Sequence, residues 1–442
     1  MLAAFRIPAD AELPQLAAIV DEDAMAARFR AGLAPGWTLK RCRVHDVRYY
    51  PGATCLLLYT LKLDGSAGER ASVALAARAF GSEPAAAEFQ SRQPLATAAG
   101  FLPAWMPDLA LALWQFPDDP AMPGLASVWR SGGALFDATV QLQRTPWHGP
   151  RPSLELAAVS YVPAKRCILR YERVDHGRPE PFYGKVYAVD DAALVHSRNL
   201  ALWDYAARSA PELGLAPPLG YDARINAAWQ AAPEGVSLLD ALDDQDVPAL
   251  FRRVAAALAA VHRSAVPSVR RWRVWDESSK LERARVALLR FHPELQAEVE
   301  ATIAPLMAAC PADIAQPVAV HGDFHCNQVL VDDERISILD FDLFGHGDPL
   351  HDVARFLSRF ETFAQGLFAP ADLRAAQEAF VSAYAILVPW NVDRRRLAWW
   401  KAALLVNRQV LKSVKKLSDT GSEPVSALLG AARAAAEGRD FA

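Results

Sequence analysis

At 442 residues, about half of them apolar, the chain is long enough for two or three domains, each with its own core. A formal net charge of -4 argues against a nucleic-acid footprint or a polybasic membrane surface, and no uninterrupted apolar run reaches the roughly 18 residues of a membrane span. The five cysteines (Cys42, Cys55, Cys167, Cys310 and Cys326) are odd in number and form no C-x-x-C pair, which points away from a disulfide framework or zinc site and toward a reducing cytoplasm.

The N-terminus has no charged start or long apolar core of a signal peptide, and acidic residues follow from Asp10 onward. Further along, Tyr49, Pro51, Cys55, Leu57 and Tyr59 recur in the same mutual spacing as Tyr161, Pro163, Cys167, Leu169 and Tyr171, about 112 positions later. Asp64-Gly65 is answered by Asp175-His176-Gly177, and Ala112-Leu113-Trp114-Gln115 by Ala227-Ala228-Trp229-Gln230. Three matches in order at nearly constant offset predict a duplicated unit of strands, a helix, then strands.

In the second unit, Cys167–Val174 alternates as a half-buried strand and Phe182–Tyr187 as its antiparallel partner, with a hairpin around Asp175–Gly177. Leu194–Ala207 reads as a helix, Pro217-Pro218 breaks it, and a short strand ends at Trp229-Gln230. From Ser237 the pattern turns helical, at 246–263, 278–309, 350–364, 371–387 and 393–416. Two short strands, Val318–His321 and Ile336–Phe341, interrupt it and flank a polar loop.

That loop, His321-Gly322-Asp323-Phe324-His325-Cys326-Asn327-Gln328, can be laid on the pattern H-R-D-x-x-x-x-N, in which the Asp accepts a substrate hydroxyl proton. Asp323 falls on the base. Gln328 stands where an Asn side chain coordinates magnesium, and Asn327 supplies that ligand instead if the register shifts by one. Asp340-Phe341-Asp342 ends an apolar strand and matches D-F-G, whose first Asp holds magnesium on the nucleotide phosphates. Phosphoryl transfer needs this layout, because cations must neutralise the β- and γ-phosphates while one carboxylate orients the incoming hydroxyl.

The series H-G-D-F-H-x-x-Q-V-L, I-L-D-F-D and G-D-P-x-x-D-x-A, running from His321 to Ala354, resembles the aminoglycoside phosphotransferase and choline kinase superfamily. The resemblance implies an α+β, bilobal protein-kinase-like fold with a small antiparallel-sheet N-lobe and a mainly helical C-lobe, here preceded by a duplicated N-lobe-like domain. It implies Asp323 as base, Asp340 as metal ligand, and Asp348 and Asp352 bracing the loop, with His321, His325 and Asp342 in support. Gln328 in place of Asn is similar to the maltokinase-like sugar kinases and tilts the acceptor toward carbohydrate.

Lys185, on the third strand of the second unit, is the candidate for the α/β-phosphates, and Asp204 is the one acid on the following helix available to pair with it. The loop Tyr161–Arg166 has no glycine, so Lys165 or Arg166 stands in for a glycine-rich loop. Gln230 to Gly235 follows the last strand, which places Gln230 and Ala232 at the purine edge. Arg78 in the first unit corresponds to Lys185, with no catalytic loop after it.

Residues 353–442 carry 13 Lys/Arg against 8 Asp/Glu, which favours a neutral or anionic acceptor over a polycation. Trp390, Trp399 and Trp400 are candidates for sugar stacking or for core. The expectation is a cap over 1–130, a nucleotide-binding lobe over 131–235 and a helical lobe over 236–442. The protein would be a cytoplasmic kinase using Mg2+ and ATP or GTP on a sugar-like acceptor, with no nucleic-acid or membrane partner. An aminoglycoside or other antibiotic phosphotransferase and a catalytically weak scaffold are the alternatives.

Overall fold

The computed structural model describes residues 5–92, 102, 104–131, 154–173, 181–242, 246–364, 367–418 and 425–438. Helices α1 (Leu16–Val20) and α2 (Glu22–Gly32) precede strands β1 (Trp37–Tyr50), β2 (Thr54–Gly65) and β3 (Arg70–Phe80). Then come helix α3 (Glu83–Arg92) and strands β4 (Trp105–Met106) and β5 (Leu111–Gln115). Next, α4 (Pro123–Ser131) leads to β6 (Leu154–Val162), β7 (Arg166–Arg173), β8 (Phe182–Tyr187) and α5 (Ala192–Ser209). The strands β9 (Leu213–Leu215), β10 (Pro218–Asp222) and β11 (Ala227–Ala231) follow. The hairpin expected at Asp175–Gly177 lies outside the described residues.

The two five-stranded sheets share one topology. Their orders are β1-β2-β3-β5-β4 and β6-β7-β8-β11-β10, every pair antiparallel. The repeated motif keeps its register, with Tyr49 opposite Cys55 in one sheet and Tyr161 opposite Cys167 in the other. Arg78 pairs across Leu56 as Lys185 pairs across Ile168.

A buried carboxylate fixes the first turn in both units. Asp10 accepts from the Tyr49 hydroxyl at 2.6 Å and from the Gly52 N–H at 2.8 Å. Asp119 accepts from the Tyr161 hydroxyl at 2.7 Å and from the Ala164 N–H at 2.8 Å. Gly52 and Ala164 both hold a left-handed backbone, φ 70° and 56°, so the clamp secures a turn that an alanine resists. Asp119→Ala leaves both donors without their acceptor and is expected to destabilise the protein by about 2 kcal/mol in urea unfolding.

The even positions of β2 do not share a side with the odd ones. Cys55, Leu57, Tyr59, Leu61 and Leu63 alternate inward and join one apolar core with the helical lobe. The second sheet has its own core, in which Met122 and, from α4, Leu125 and Val128 meet Cys167, Leu169, Tyr171 and Trp229. Helix α4 therefore packs with the second sheet. Trp114 Nε1 donates to the Tyr161 hydroxyl at 2.9 Å and ties the sheets together.

The remainder is helical, apart from short strands at its centre. Strand β12 (Val236–Ser237) and helix α6 (Leu238–Ala241) open it. Helices α7 (Val247–Arg263), α8 (Val274–Phe291) and α9 (Gln296–Ala308) follow, the predicted segment 278–309 being broken where Pro293 opens a 3-10 turn. Strands β13 (Val318–Val320), β14 (Val329–Val331), β15 (Ile336–Ile338) and β16 (Gly345–Gly347) frame the polar loop. Only two of these four were expected from the sequence, because three-residue strands leave almost no periodicity to read.

Helices α10 (Leu350–Ala364), α11 (Pro370–Leu387) and α12 (Arg394–Leu404) come next. The last continues through a π turn, Leu405–Val410, into α13 (Leu411–Lys416), and α14 (Val425–Ala436) was not anticipated. Trp399 and Trp400 are buried, donating to the Leu306 carbonyl and the Asp348 carboxylate, which rules out the sugar-stacking role for both. No helix of the described residues is long and apolar enough to cross a membrane.

Candidate active site

The polar loop leaves β13 and is fixed at its root by one acid. Asp352, near the start of α10, is fully buried and accepts from the backbone N–H of His321 at 2.6 Å and of Gly322 at 3.0 Å. The rings of His262 and His351 lie against the same carboxylate, each at 3.1 Å. Burial alone would push this acid up, but the His262 and His351 hydrogen bonds hold it well below the ordinary carboxylate range. Asp348 braces the far end, accepting from Leu350 N–H, Arg396 and Trp400.

Gly322 sits at φ 84°, and a Cβ there would come within 2.5 Å of the Leu343 carbonyl and 2.7 Å of the Trp272 ring. His321 bridges the loop to the Leu339 carbonyl at 2.8 Å through Nε2. Its Nδ1 accepts from Asp323 N–H at 3.3 Å.

Asp323 then projects toward α10, where Arg355 Nε donates to it at 3.1 Å, and Arg408 of the π turn stands 4.0 Å away. Burial raises the Asp323 pKa, but Arg355 and then Arg408 bring it below the usual carboxylate range. Neither arginine was singled out in the sequence. Arg355 stands three residues after Asp352 and so shares its helix face, a spacing that signals a common target.

Across the cleft, Lys185 of β8 is buried and its Nζ lies 2.6 Å from Asp340 and 3.2 Å from Asp342. Arg166 reaches Asp342 at 3.2 Å and Asp340 at 3.5 Å, and the Tyr187 hydroxyl donates to Asp342 at 3.1 Å. Asp340 adopts a left-handed backbone, φ 65°, an uncommon conformation for a non-glycine residue that sets its carboxylate against Lys185. Although burial opposes ionisation, Lys185 and Arg166 hold Asp340 strongly deprotonated.

Asp204 is exposed on α5 and is not part of this cluster; Asp342 takes the place expected of a helix acid, and α5 instead brings Arg198 toward Asp342. Gln230 lines the same narrow cavity as Lys185 and Asp340. Ala232 does not: it lines a separate cavity of about 400 Å³ with Trp203, Glu234 and Arg335, and its N–H donates to the Pro181 carbonyl at 3.3 Å. The structure thus does not bring Ala232 together with Gln230, Lys185 and Asp340.

Between the two clusters lies Gln328. It is buried on a 3-10 turn, and its backbone carbonyl accepts from Leu339 N–H at 2.9 Å, which sets it beside the end of β15 that leads to Asp340. Its Oε1 is buried with no hydrogen-bond partner, whereas Asn327 is exposed. A buried amide oxygen without a donor is destabilising by about 1–3 kcal/mol, so Gln328, with Asp340, fits a magnesium ion. Among the described residues no three His, Cys, Asp or Glu side chains cluster to hold a metal, so such an ion draws further ligands from phosphate or water.

His325 is half-buried with Nδ1 unpaired, and burial pushes its imidazole down to about 4. The ring is neutral at pH 7. Since the folded pKa lies below the unfolded one, the unfolded chain binds the extra proton between about pH 6.5 and 4, and stability falls as the pH drops through that window. Urea midpoints near pH 7 and pH 5 should converge in His325→Gln relative to the unsubstituted protein.

The loop that carries Asp323 with Arg355 thus stands opposite the cluster of Lys185 with Asp340. Residues 197–398 match the profile of the phosphotransferase enzyme family. The match contains Asp323, Gln328 and Asp340 but begins after Lys185. No curated protein sequence matches the chain.

Among solved structures, a thermostable mutant of aminoglycoside phosphotransferase APH(4)-Ia with ADP and hygromycin B is 18% identical, covering 65% of this chain and 95% of its own, TM-score 0.46. A choline/ethanolamine kinase family protein from Mesorhizobium loti is 16% identical, covering 70% and 96%, TM-score 0.41. A glucosamine kinase in complex with glucosamine, ADP and inorganic phosphate is 16% identical, covering 96% and 98%, TM-score 0.41.

Proposed function

We propose that this enzyme transfers the γ-phosphoryl group of ATP or GTP to a hydroxyl of a small, sugar-like molecule. The observation that carries the reading is the placement of two opposed groups: Asp323, held by Arg355, on one side, and Asp340 with Lys185 on the other. Lys185 and Arg166 bind the nucleotide phosphates, and Gln230 faces the base side of the same cavity. Magnesium held by Asp340 and Gln328 would neutralise the charge on the transferred group.

Asp323 accepts a hydrogen bond from the acceptor hydroxyl and aims its oxygen at the γ-phosphorus. The new O–P bond forms as the bond to the β-phosphate oxygen breaks, and the hydroxyl proton leaves through Asp323. The sugar-like acceptor is supported by Gln328 at the ligand position and by the excess of Lys/Arg over Asp/Glu in residues 353–442. Magnesium-dependent nucleotide turnover against sugars, aminoglycosides and amino alcohols tests this, with Asp323→Ala as control. Acceptor-dependent turnover lost in the variant is the expected result; a protein that neither binds nor turns over magnesium-nucleotide is not a kinase.

A further inference from the structure

The acceptor side of the cleft gathers cations from all three parts of the chain. Arg48 comes from β1 of the first sheet, Lys165 from the turn between β6 and β7, Arg355 from α10, Arg408 from the π turn, and Lys412 and Lys415 from α13. Packing of α13 on β1, with Lys416 paired to Asp46, brings the first and last of these to one place. Arg48 shares that same Asp46, at 3.0 Å.

The available carboxylates do not balance this charge. Asp323 faces two arginines, Asp46 holds both Lys416 and Arg48, and Glu277 is engaged by Lys280 and Asn407. Lys165, Lys412 and Lys415 have no ion-pair partner among the described residues. All three keep exposed side chains, and partial desolvation followed by neighbouring cations lowers each pKa: Arg408 and Lys280 at Lys415, Arg359 and Lys416 at Lys412, and Arg166 and Arg48 at Lys165, where Asp190 and Asp323 oppose the shift. Like charges crowded without a counter-ion are arranged for an anionic guest. Arg408 also sits in a π turn, a distortion that recurs at functional sites.

The nucleotide does not account for the whole set. Its phosphates lie on the side of Lys185 and Arg166, which bind Asp340 and Asp342, whereas Arg408, Lys412 and Lys415 lie on the side of Asp323. We infer that the acceptor is a hydroxylated compound already bearing an anionic group, a phosphate ester or a carboxylate, seated against Arg408, Lys412 and Lys415. The inference rests on the kinase reading above and names the substrate class of that site. An acceptor carrying an ammonium group is repelled by the same residues.

Isothermal titration of the full chain tests it, with magnesium and the β,γ-imido analogue of ATP at saturation so that the γ-phosphate position is filled. D-glucose 6-phosphate, D-glucuronate, D-glucose and D-glucosamine are titrated in turn. One or both anions should bind at least tenfold more tightly than glucose and glucosamine, a difference of about 1.4 kcal/mol. The better of the two identifies phosphate or carboxylate. Lys415→Glu, and separately Lys412→Glu, should weaken that binding at least tenfold and leave the affinity for the imido analogue unchanged. Glucose or glucosamine binding as tightly as the anions, no saturable binding of either anion, or anion affinity indifferent to both substitutions overturns the inference. Failure of the imido analogue itself to bind overturns the kinase reading instead.

Discussion

Asp323→Asn should lower kcat by about 10²–10⁴ while leaving the KM for nucleotide within a factor of about three. Asparagine keeps the shape and can still accept from Arg355, so the loop stays in place. It loses the negative charge that orients the acceptor hydroxyl and takes up its proton. Lys185 and Asp340, assigned to the nucleotide in the proposed function, pair with each other across the cleft. Because Arg355 and Arg408 hold the Asp323 pKa down, the acid is a weak base, suited to a loose transition state in which the hydroxyl proton leaves late. The sign follows: a depressed carboxylate is ionised at and above its ordinary range and is lost only below it. The kcat profile should therefore show no Asp323 limb between about pH 5 and 8. A variant retaining more than a tenth of the activity in steady-state assays removes Asp323 from the chemistry.

Asp352→Ala should produce the largest loss of stability, about 3–5 kcal/mol in urea unfolding, with activity falling in the fraction that stays folded. Four groups lose their acceptor together: the two N–H groups that open the loop and the rings of His262 and His351. None of them can recruit water, since the carboxylate is fully buried. Asp352→Asn can still accept on one oxygen and should recover part of the loss. A change below about 1 kcal/mol in the alanine variant would mean that the loop is held by its packing instead.

The acids of the catalytic loop are legible in the sequence because their geometry is local. Gly322, Asp323 and Gln328 lie within one short loop, and Asp340 follows a three-residue strand that pairs with β14. What joins distant segments is not legible. The acids Asp10 and Asp119 stand 39 and 42 positions before the tyrosines they clamp, so the repeat was visible in its tyrosines and not in the clamps. Lys185 finds its anions 155 and 157 positions away, across the cleft, where the sequence offered Asp204 on the adjacent helix. Of the cation cluster, Arg408, Lys412 and Lys415 share one helical run, but Arg48, Lys165 and Arg355 come from distant segments and only the fold brings them together.

The apolar core that joins the first sheet to the helical lobe has a mechanical consequence. Those two parts form one body, locked by Lys416–Asp46, by Arg290 near Asp10 and by the Arg6 N–H on the Leu417 carbonyl. The second sheet keeps a smaller core of its own. Helix α5 and β9 share that large core, so movement at the cleft is expected in β6–β8, against a frame built from both ends. Amide exchange on nucleotide binding should slow most in β6–β8 and least in β1 and α13.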